Sequence, residues 1–475
     1  MTIRTRFAPS PTGFLHVGGI RTALFAYLVA RQSGGEFILR FEDTDKKREV
    51  AGSAEHLISS LKAIGIDYDE GPDIGGPFAP YIQSQRLDHY KQWAQKLIDA
   101  GRAYADPYTS EEIQAFRDEA MANKRAFRYR DYRPENPPAW DGSQPLRFKS
   151  EPKPYSYHDE VMGDITTSPE VIDDIILMKS DGYPTYNFAH IVDDTEMEIT
   201  HIIRGQEFIS SMPNYLALYE ALGVAVPVLA HMPHIMNEQG NKKLGKRDGA
   251  KDVLDYIRDG YLPETMMSFI ATMGWNDGTE QEVFTKDELV EKFNLDRVQR
   301  SGARFDEKRL LWMNGHFIRE LPLDELSGRI EYFWPESAKK HPENYKKQVL
   351  ALAQDRLKTF KDLPGLTSYF FEEPNVDMSL ITGNKQLAKL EPAELKTLLQ
   401  TALSELSALK TWNAETIQEC LNTLLEKTGQ KPGILFSLIR IATTWAPFSP
   451  QLNDTLALLG KDTTPARLEV AIKSL

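Results

Sequence analysis

The chain has 475 residues, 41% of them hydrophobic and 26% charged, enough for several cores and too long for one compact domain. Its formal net charge of -13, from 56 basic and 69 acidic side chains, excludes a generally basic surface, so a polyanion must be met by local clusters. A single cysteine, Cys420, excludes an internal disulfide and a cysteine-rich zinc site, and no apolar run is long enough to span a bilayer.

Ile3, Thr5 and Phe7 alternate with Arg4 and Arg6, which predicts a half-buried strand that Pro9 and Pro11 end. From Ile20 onward Ala23, Leu24, Tyr27 and Leu28 recur at helical spacing. Gly18 and Gly19 then fall in that helix's first turn with His16 at its mouth, where free backbone N–H groups favour an anion. Taken alone, this reads more readily as an ordinary strand–turn–helix with a solvated His16. A second strand over 36–41 and a helix over 54–61 follow in β-α-β order. Strands over 199–204 and 226–232 flank a helix near 214–222, so a parallel sheet interrupted by an insertion of roughly 80–190 is the economical reading.

Inside the insertion, Lys124, Arg125, Arg128, Arg130 and Arg133 interleave with Phe127, Tyr129 and Tyr132. That pattern suits an RNA end, and equally a solvated loop with aromatics pinned to a core. Over 237–249 the apolar periodicity stops and Lys242, Lys243, Lys246 and Arg247 crowd into an exposed loop. Beyond it the pattern is helical, with Pro335, Pro342, Pro364, Pro374, Pro392 and Pro432 as breaks. Arg356-Leu357-Lys358-Thr359-Phe360-Lys361, preceded by Lys339, Lys340, Lys346 and Lys347, is the clearest basic stretch there. Cys420 reads as a small apolar packing residue.

His16-Val17-Gly18-Gly19, Lys243-Leu244-Gly245-Lys246-Arg247, Arg40-Phe41-Glu42-Asp43-Thr44-Asp45 and Ser180-Asp181-Gly182-Tyr183-Pro184-Thr185-Tyr186 stand in this order along the chain. Together they resemble the class I aminoacyl-tRNA synthetases and, more narrowly, the bacterial glutamate–tRNA ligases. The resemblance implies an α/β fold: a Rossmann-like nucleotide-binding domain in two halves, 1–80 and 191–240, with an acceptor-end domain over 81–190 inserted between them. A lysine-loop and stem-contact domain over 241–320 and a helical anticodon-binding region over 321–475, in two subdomains, would complete it.

The implied reaction is ATP-dependent attachment of L-glutamate to the 3′ end of glutamate tRNA through a glutamyl adenylate, releasing AMP and pyrophosphate. A relaxed ligase that also charges glutamine tRNA is the alternative. By the same resemblance His16, Lys243 and Lys246 are catalytic. Thr12, His16, Gly18, Gly19, Glu207, Lys243 and Lys246 would hold ATP, with Mg²⁺ bridging its phosphates. Each donor aimed at the developing charge would contribute roughly 2–4 kcal/mol.

Arg6, Ser10, Glu42, Tyr186 and Arg204 would hold glutamate, Glu42 accepting from the α-ammonium and Arg204 gripping the side-chain carboxylate with its fork. The competing reading of Arg204 is an ion pair with Asp193 or Asp194. Arg356 corresponds to an anticodon-reading arginine. The partners implied are glutamate tRNA and L-glutamate, without DNA or membrane, for a cytoplasmic monomer. No structural zinc is expected, so the stretch around Tyr104-Ala105-Asp106-Pro107-Tyr108 must be held by aromatic packing and hydrogen bonds. The chain departs from the pattern at His190, where relatives carry asparagine beside the substrate, at Gln206 and Phe208, and at Gly245, which replaces a serine.

Overall fold

The computed structural model describes residues 2–245 and 251–475, so Lys246 and Arg247 of the lysine loop lie outside the described residues. The chain divides into two compact units, Met1–Ile257 with Pro263–Glu307, and Arg258–Leu262 with Lys308–Leu475.

The first unit runs β1 (Arg4–Phe7), α1 (Val17–Gln32), β2 (Glu36–Leu39), α2 (Ser53–Ala63), α3 (Leu87–Asp99), β3 (Ala103–Ala105), α4 (Ser110–Ala122), β4 (Leu146–Phe148), β5 (Tyr155–Asp159) and β6 (Gly163–Thr167). It continues through β7 (Ile176–Met178), α5 (Tyr186–Glu196), β8 (His201–Gly205), α6 (Met212–Leu222), β9 (Val228–Met232) and β10 (Ile235–Met236). Its last elements are α7 (Val253–Arg258), α8 (Pro263–Ala271), α9 (Lys286–Lys292) and β11 (Ala303–Arg304), which pairs in parallel with β10.

The main sheet has the order β2-β1-β8-β9-β5-β6. All its pairings are parallel except the β5–β6 hairpin. That hairpin comes from within the 81–190 stretch and extends the main sheet, while β3, β4 and β7 form a separate antiparallel sheet.

The alternation in β1 misleads, because all four of its residues are buried. A parallel strand between two neighbours is covered on both faces, so its arginines cannot turn to water and need carboxylates instead. Arg4 pairs with Glu36 and, at 2.9 Å, with Glu70, and Arg6 pairs with Asp194.

Two buried carboxylates pin the insertion. Asp106 accepts from the Tyr129 hydroxyl, from Arg147 Nε at 2.6 Å and from the Tyr108 backbone N–H at 3.0 Å. Asp174 accepts from the Tyr104 hydroxyl at 2.8 Å, from Ser150 Oγ at 2.7 Å and from Arg133. Phe116 stacks on Tyr132 at 4.5 Å, and the Arg147 guanidinium lies 3.3 Å from the centre of the Tyr129 ring. Arg130 turns inward too, donating to the Pro169 and Ile172 carbonyls, and Arg125 and Arg128 pair with Glu119 and Glu170. Much of this aromatic–basic stretch therefore serves the insertion's own packing.

The second unit is helical, from α10 (Glu307–Glu320) through α11 (Leu323–Arg329), α12 (Glu343–Ala353), α13 (Leu363–Thr367), α14 (Ser379–Thr382) and α15 (Pro392–Ser407). It ends with α16 (Ala414–Thr428), α17 (Pro432–Thr444), α18 (Leu452–Leu459) and α19 (Thr463–Ser474). Leu399, Leu406, Leu421, Leu424, Ile439 and Leu468 are fully buried in its core, and Cys420 packs among them. Among the described residues no helix is long and apolar enough to cross a membrane.

Candidate active site

A cavity of about 830 Å³ is lined from β1 and β8 and the segments that follow them, where a doubly wound sheet places its ligands. Seven of the residues singled out in the sequence line it: Arg6, Ser10, Thr12, Gly19, Glu42, Tyr186 and Arg204. Its lining also includes Lys46, Lys47, Arg48 and Lys179, which sequence reasoning passed over. The run Lys46-Lys47-Arg48 directly after Asp45 was the available signal.

His16 and Gly18 stand beside this cavity rather than in its lining. His16 is the N-cap of α1: its backbone is extended and its Nδ1 accepts from the Gly18 N–H at 3.2 Å. The helix therefore presents its N-terminal dipole beside an exposed imidazole. Gly19 packs closely there: a Cβ would come within 2.5 Å of Leu15 Cδ1 and would have to turn that side chain.

The described part of the lysine loop is a tight hairpin. Asn237 N–H donates to the Lys242 carbonyl at 2.9 Å and Leu244 N–H to the Ile235 carbonyl at 2.8 Å, anchoring Lys243 opposite Met236 on β10. The Lys243 ammonium reaches 3.8 Å from Glu207 Oε1, and His234 Nδ1 lies 3.8 Å from Glu207 Oε2. Glu207 thus stands with Lys243, outside the cavity lining. Lys246, assigned with it from sequence, lies outside the described residues.

On the β1 side of the cavity Arg6 and Arg40 are compensated. Arg6 donates to both carboxylate oxygens of Asp194, at 3.1 and 3.2 Å, and Arg40 pairs with Asp194 at 2.8 Å and with Glu42 at 3.2 Å. Burial opposes ionisation of Asp194, but Arg6 and Arg40 outweigh it and hold this carboxyl far below the usual range. Glu42 has the opposite balance: burial pushes it up to about 7 despite Arg40 and Arg6. Asp193 is occupied by Arg86 Nε at 2.8 Å, by Gln83 and by the Tyr90 hydroxyl.

Arg204 is different. It is 5% exposed, and among the described residues no carboxylate pairs with it, so the ion pair with Asp193 or Asp194 is not formed. Its Nε donates to His231 Nε2 at 3.1 Å, Nη2 lies 2.7 Å from Met212 Sδ, and Nη1 is buried with no acceptor. Phe208 and Tyr215 each present a ring 5.1 Å from the guanidinium carbon. Tyr186 stacks between His190, at 4.7 Å, and Phe208, at 5.2 Å.

His190 does not line the cavity. It is 1% exposed with Nδ1 on the Tyr186 carbonyl at 2.8 Å, and burial, aided by Arg204, pushes it down to about 3. It is a neutral support for the Tyr186 ring.

Residues 2–312 match the catalytic domain of the class I tRNA synthetases (E and Q), and residues 325–472 match an anticodon binding domain. The chain belongs to the class I tRNA synthetases of this E and Q family. It is similar to the glutamate–tRNA ligase of Clostridium kluyveri, at 39% identity over 100% of this chain and 98% of that one, and to that of Roseiflexus sp., at 40% over 99% and 96%. A crystal structure of a glutamate tRNA ligase from Elizabethkingia meningosepticum in complex with its amino acid superimposes with a TM-score of 0.87 at 32% identity, covering 100% of both chains.

In the anticodon binding domain of this synthetase, Arg356 is exposed in the turn after α12, and among the described residues it makes no ion pair. Arg440 on α17 feels its charge: burial first, then Arg356, lowers the Arg440 guanidinium below its usual range. Four of the neighbouring lysines are occupied. Lys346 is buried between Glu331 and Glu343, Lys347 pairs with Asp324, Lys339 with Glu336 and Lys361 with Asp259.

Proposed function

We propose that the chain is a glutamate–tRNA ligase: it condenses L-glutamate with ATP to glutamyl adenylate and pyrophosphate, then passes the glutamyl group to the terminal ribose of glutamate tRNA, releasing AMP. The observation that carries this reading is Arg204, a buried cation with an idle Nη1 at the cavity wall. A buried charge left uncompensated costs about 3–5 kcal/mol, and a γ-carboxylate would supply the missing partner, whereas the NH₂ of glutamine would oppose donor to donor.

In this reading Glu42 accepts from the α-ammonium, Tyr186 packs along the substrate's methylenes, and Arg6 and Ser10 present donors to its remaining oxygens. The α-carboxylate attacks the α-phosphate in line. Thr12, Gly18, Gly19 and His16 hold the triphosphate at the start of α1, and Lys243 with Lys246 steadies the leaving pyrophosphate. Glu207 orients Lys243 and faces the nucleotide. Bound together with ATP, Mg²⁺ would supply further neutralisation of phosphate charge beside His16, Lys243 and Lys246. Arg356 reads an anticodon base. The domain limits given above, a monomeric state and a cytoplasmic site of action belong to the same reading.

Aminoacylation of purified glutamate and glutamine tRNAs tests it. Charging of glutamate tRNA alone with glutamate is the expected result. Equal charging of both replaces it with the relaxed ligase, and no pyrophosphate exchange in the presence of tRNA overturns it.

A further inference from the structure

The guanidinium of Arg204 is held from behind by two buried residues to which the reading above gives no role. The parallel register of β8 and β9 sets Arg204 directly opposite His231. β5 lies on the far side of β9, with Asp159 at its end paired to Leu229. Both His231 and Asp159 have side chains with 0% exposure. His231 Nδ1 lies 2.5 Å from Asp159 Oδ2, and Asp159 also accepts from the backbone N–H groups of Met162 at 2.8 Å, Val161 at 3.1 Å and His231 at 3.2 Å.

These bonds decide where the proton sits. Asp159 is buried, which favours its neutral form, yet the His231 ring and the Met162 N–H outweigh burial and keep the carboxyl below its usual range. An ionised Asp159 can only accept, so His231 carries its hydrogen on Nδ1. Burial, with the Arg204 charge, keeps the imidazole neutral. Its Nε2 is therefore a bare lone pair, and it accepts from Arg204 Nε–H at 3.1 Å. The other tautomer would set N–H against N–H and push the guanidinium away.

We propose that Asp159 and His231 are positioning residues for substrate selection: by fixing the tautomer of His231, Asp159 makes it an acceptor that clamps Arg204 by its Nε and leaves Nη1 aimed at the substrate's side-chain carboxylate. The relay rests on the reading of Arg204 as the glutamate-selecting residue. It contributes aim and not charge, because a guanidinium is cationic whether clamped or free.

The two amides of different length separate its halves. His231→Asn keeps a donor at the Nδ1 position for Asp159 and loses the acceptor facing Arg204, whereas His231→Gln places an acceptor at the Nε2 position. In tRNA-supported ATP–pyrophosphate exchange, His231→Asn is expected to raise the KM for glutamate about 10- to 100-fold with the KM for ATP unchanged, and His231→Gln to stay within about threefold of the wild type. Asp159→Asn, which frees the tautomer, is expected to show the same glutamate-only defect.

Equal glutamate KM values for His231→Asn and His231→Gln, or an ATP KM that rises in step, would overturn the relay. Arg204→Met keeps the two claims apart. If it raises the glutamate KM while His231→Asn and Asp159→Asn do not, the relay alone fails; if it leaves that KM unchanged, the reading of Arg204 itself fails.

Discussion

The two sides of the cavity use buried arginine in opposite ways. On the β1 side, Arg6 and Arg40 share Asp194, and Arg40 also meets Glu42, so positive charge is neutralised within the protein. On the β8 side, Arg204 is clamped by a neutral imidazole and a thioether and has no carboxylate among the described residues. The first arrangement holds the fold together; the second stores an unmet demand for an anion. Burial of an arginine is therefore uninformative until its partner is known.

Breaking the compensated side gives the largest effect. Asp194→Asn removes the carboxylate that pairs with buried Arg6 and one of those that pair with buried Arg40, and is expected to lower the unfolding free energy by about 3–5 kcal/mol, measured by denaturant titration. A loss below about 1 kcal/mol would dissolve the contrast.

The uncompensated side is expected to respond in activity and not in stability. Arg204→Met should lower kcat/KM for glutamate by about 10²- to 10³-fold while leaving the protein as stable or more so, because it removes a desolvated charge. A stability loss matching that of Asp194→Asn would show that both sides serve the fold.

Glu42 sharpens the comparison through pH. Its carboxyl, at about 7, must be ionised to accept the α-ammonium, so falling pH removes the acceptor. The glutamate KM is expected to rise about tenfold for each pH unit below 7, and Glu42→Gln should flatten that profile at a high KM. For stability the sign is reversed: a raised folded-state pKa means that the native protein binds the proton more tightly, so this group's contribution declines as pH rises from about 4.5 to 7.

The smallest effect is expected at Lys347→Ala. Its exposed pair with Asp324 should contribute less than about 0.5 kcal/mol in the same titration.

What could be read from sequence follows the range of the interaction. Helical periodicity placed the helices at 17–32, 53–63 and 212–222 to within a few residues, and the glycines fell where α1 needed them. These signals are local. The burial of β1 was hidden, because alternating arginines look like a wet face unless Glu36, Glu70 and Asp194 are known to lie opposite.

Arg204 shows the same limit within the site. Asp193 and Asp194 are near it in the chain, yet α5 turns them toward Arg86, Arg6 and Arg40, and sheet register supplies His231 instead. In the insertion, tertiary carboxylates claim Arg130's neighbours Arg128 and Arg133, a fate that a basic run cannot disclose. Lys346 is likewise internal to its helical unit.

The β5–β6 hairpin has a consequence for grafting. Because β5 lies within the 81–190 stretch and yet continues the nucleotide-binding sheet beyond β9, that stretch is not a detachable cassette. A chimera that exchanges it wholesale between two relatives would import the donor's counterpart of Asp159 behind the recipient's own counterpart of Arg204, so under the relay proposed above a swap meant to alter RNA handling would also touch the choice of amino acid.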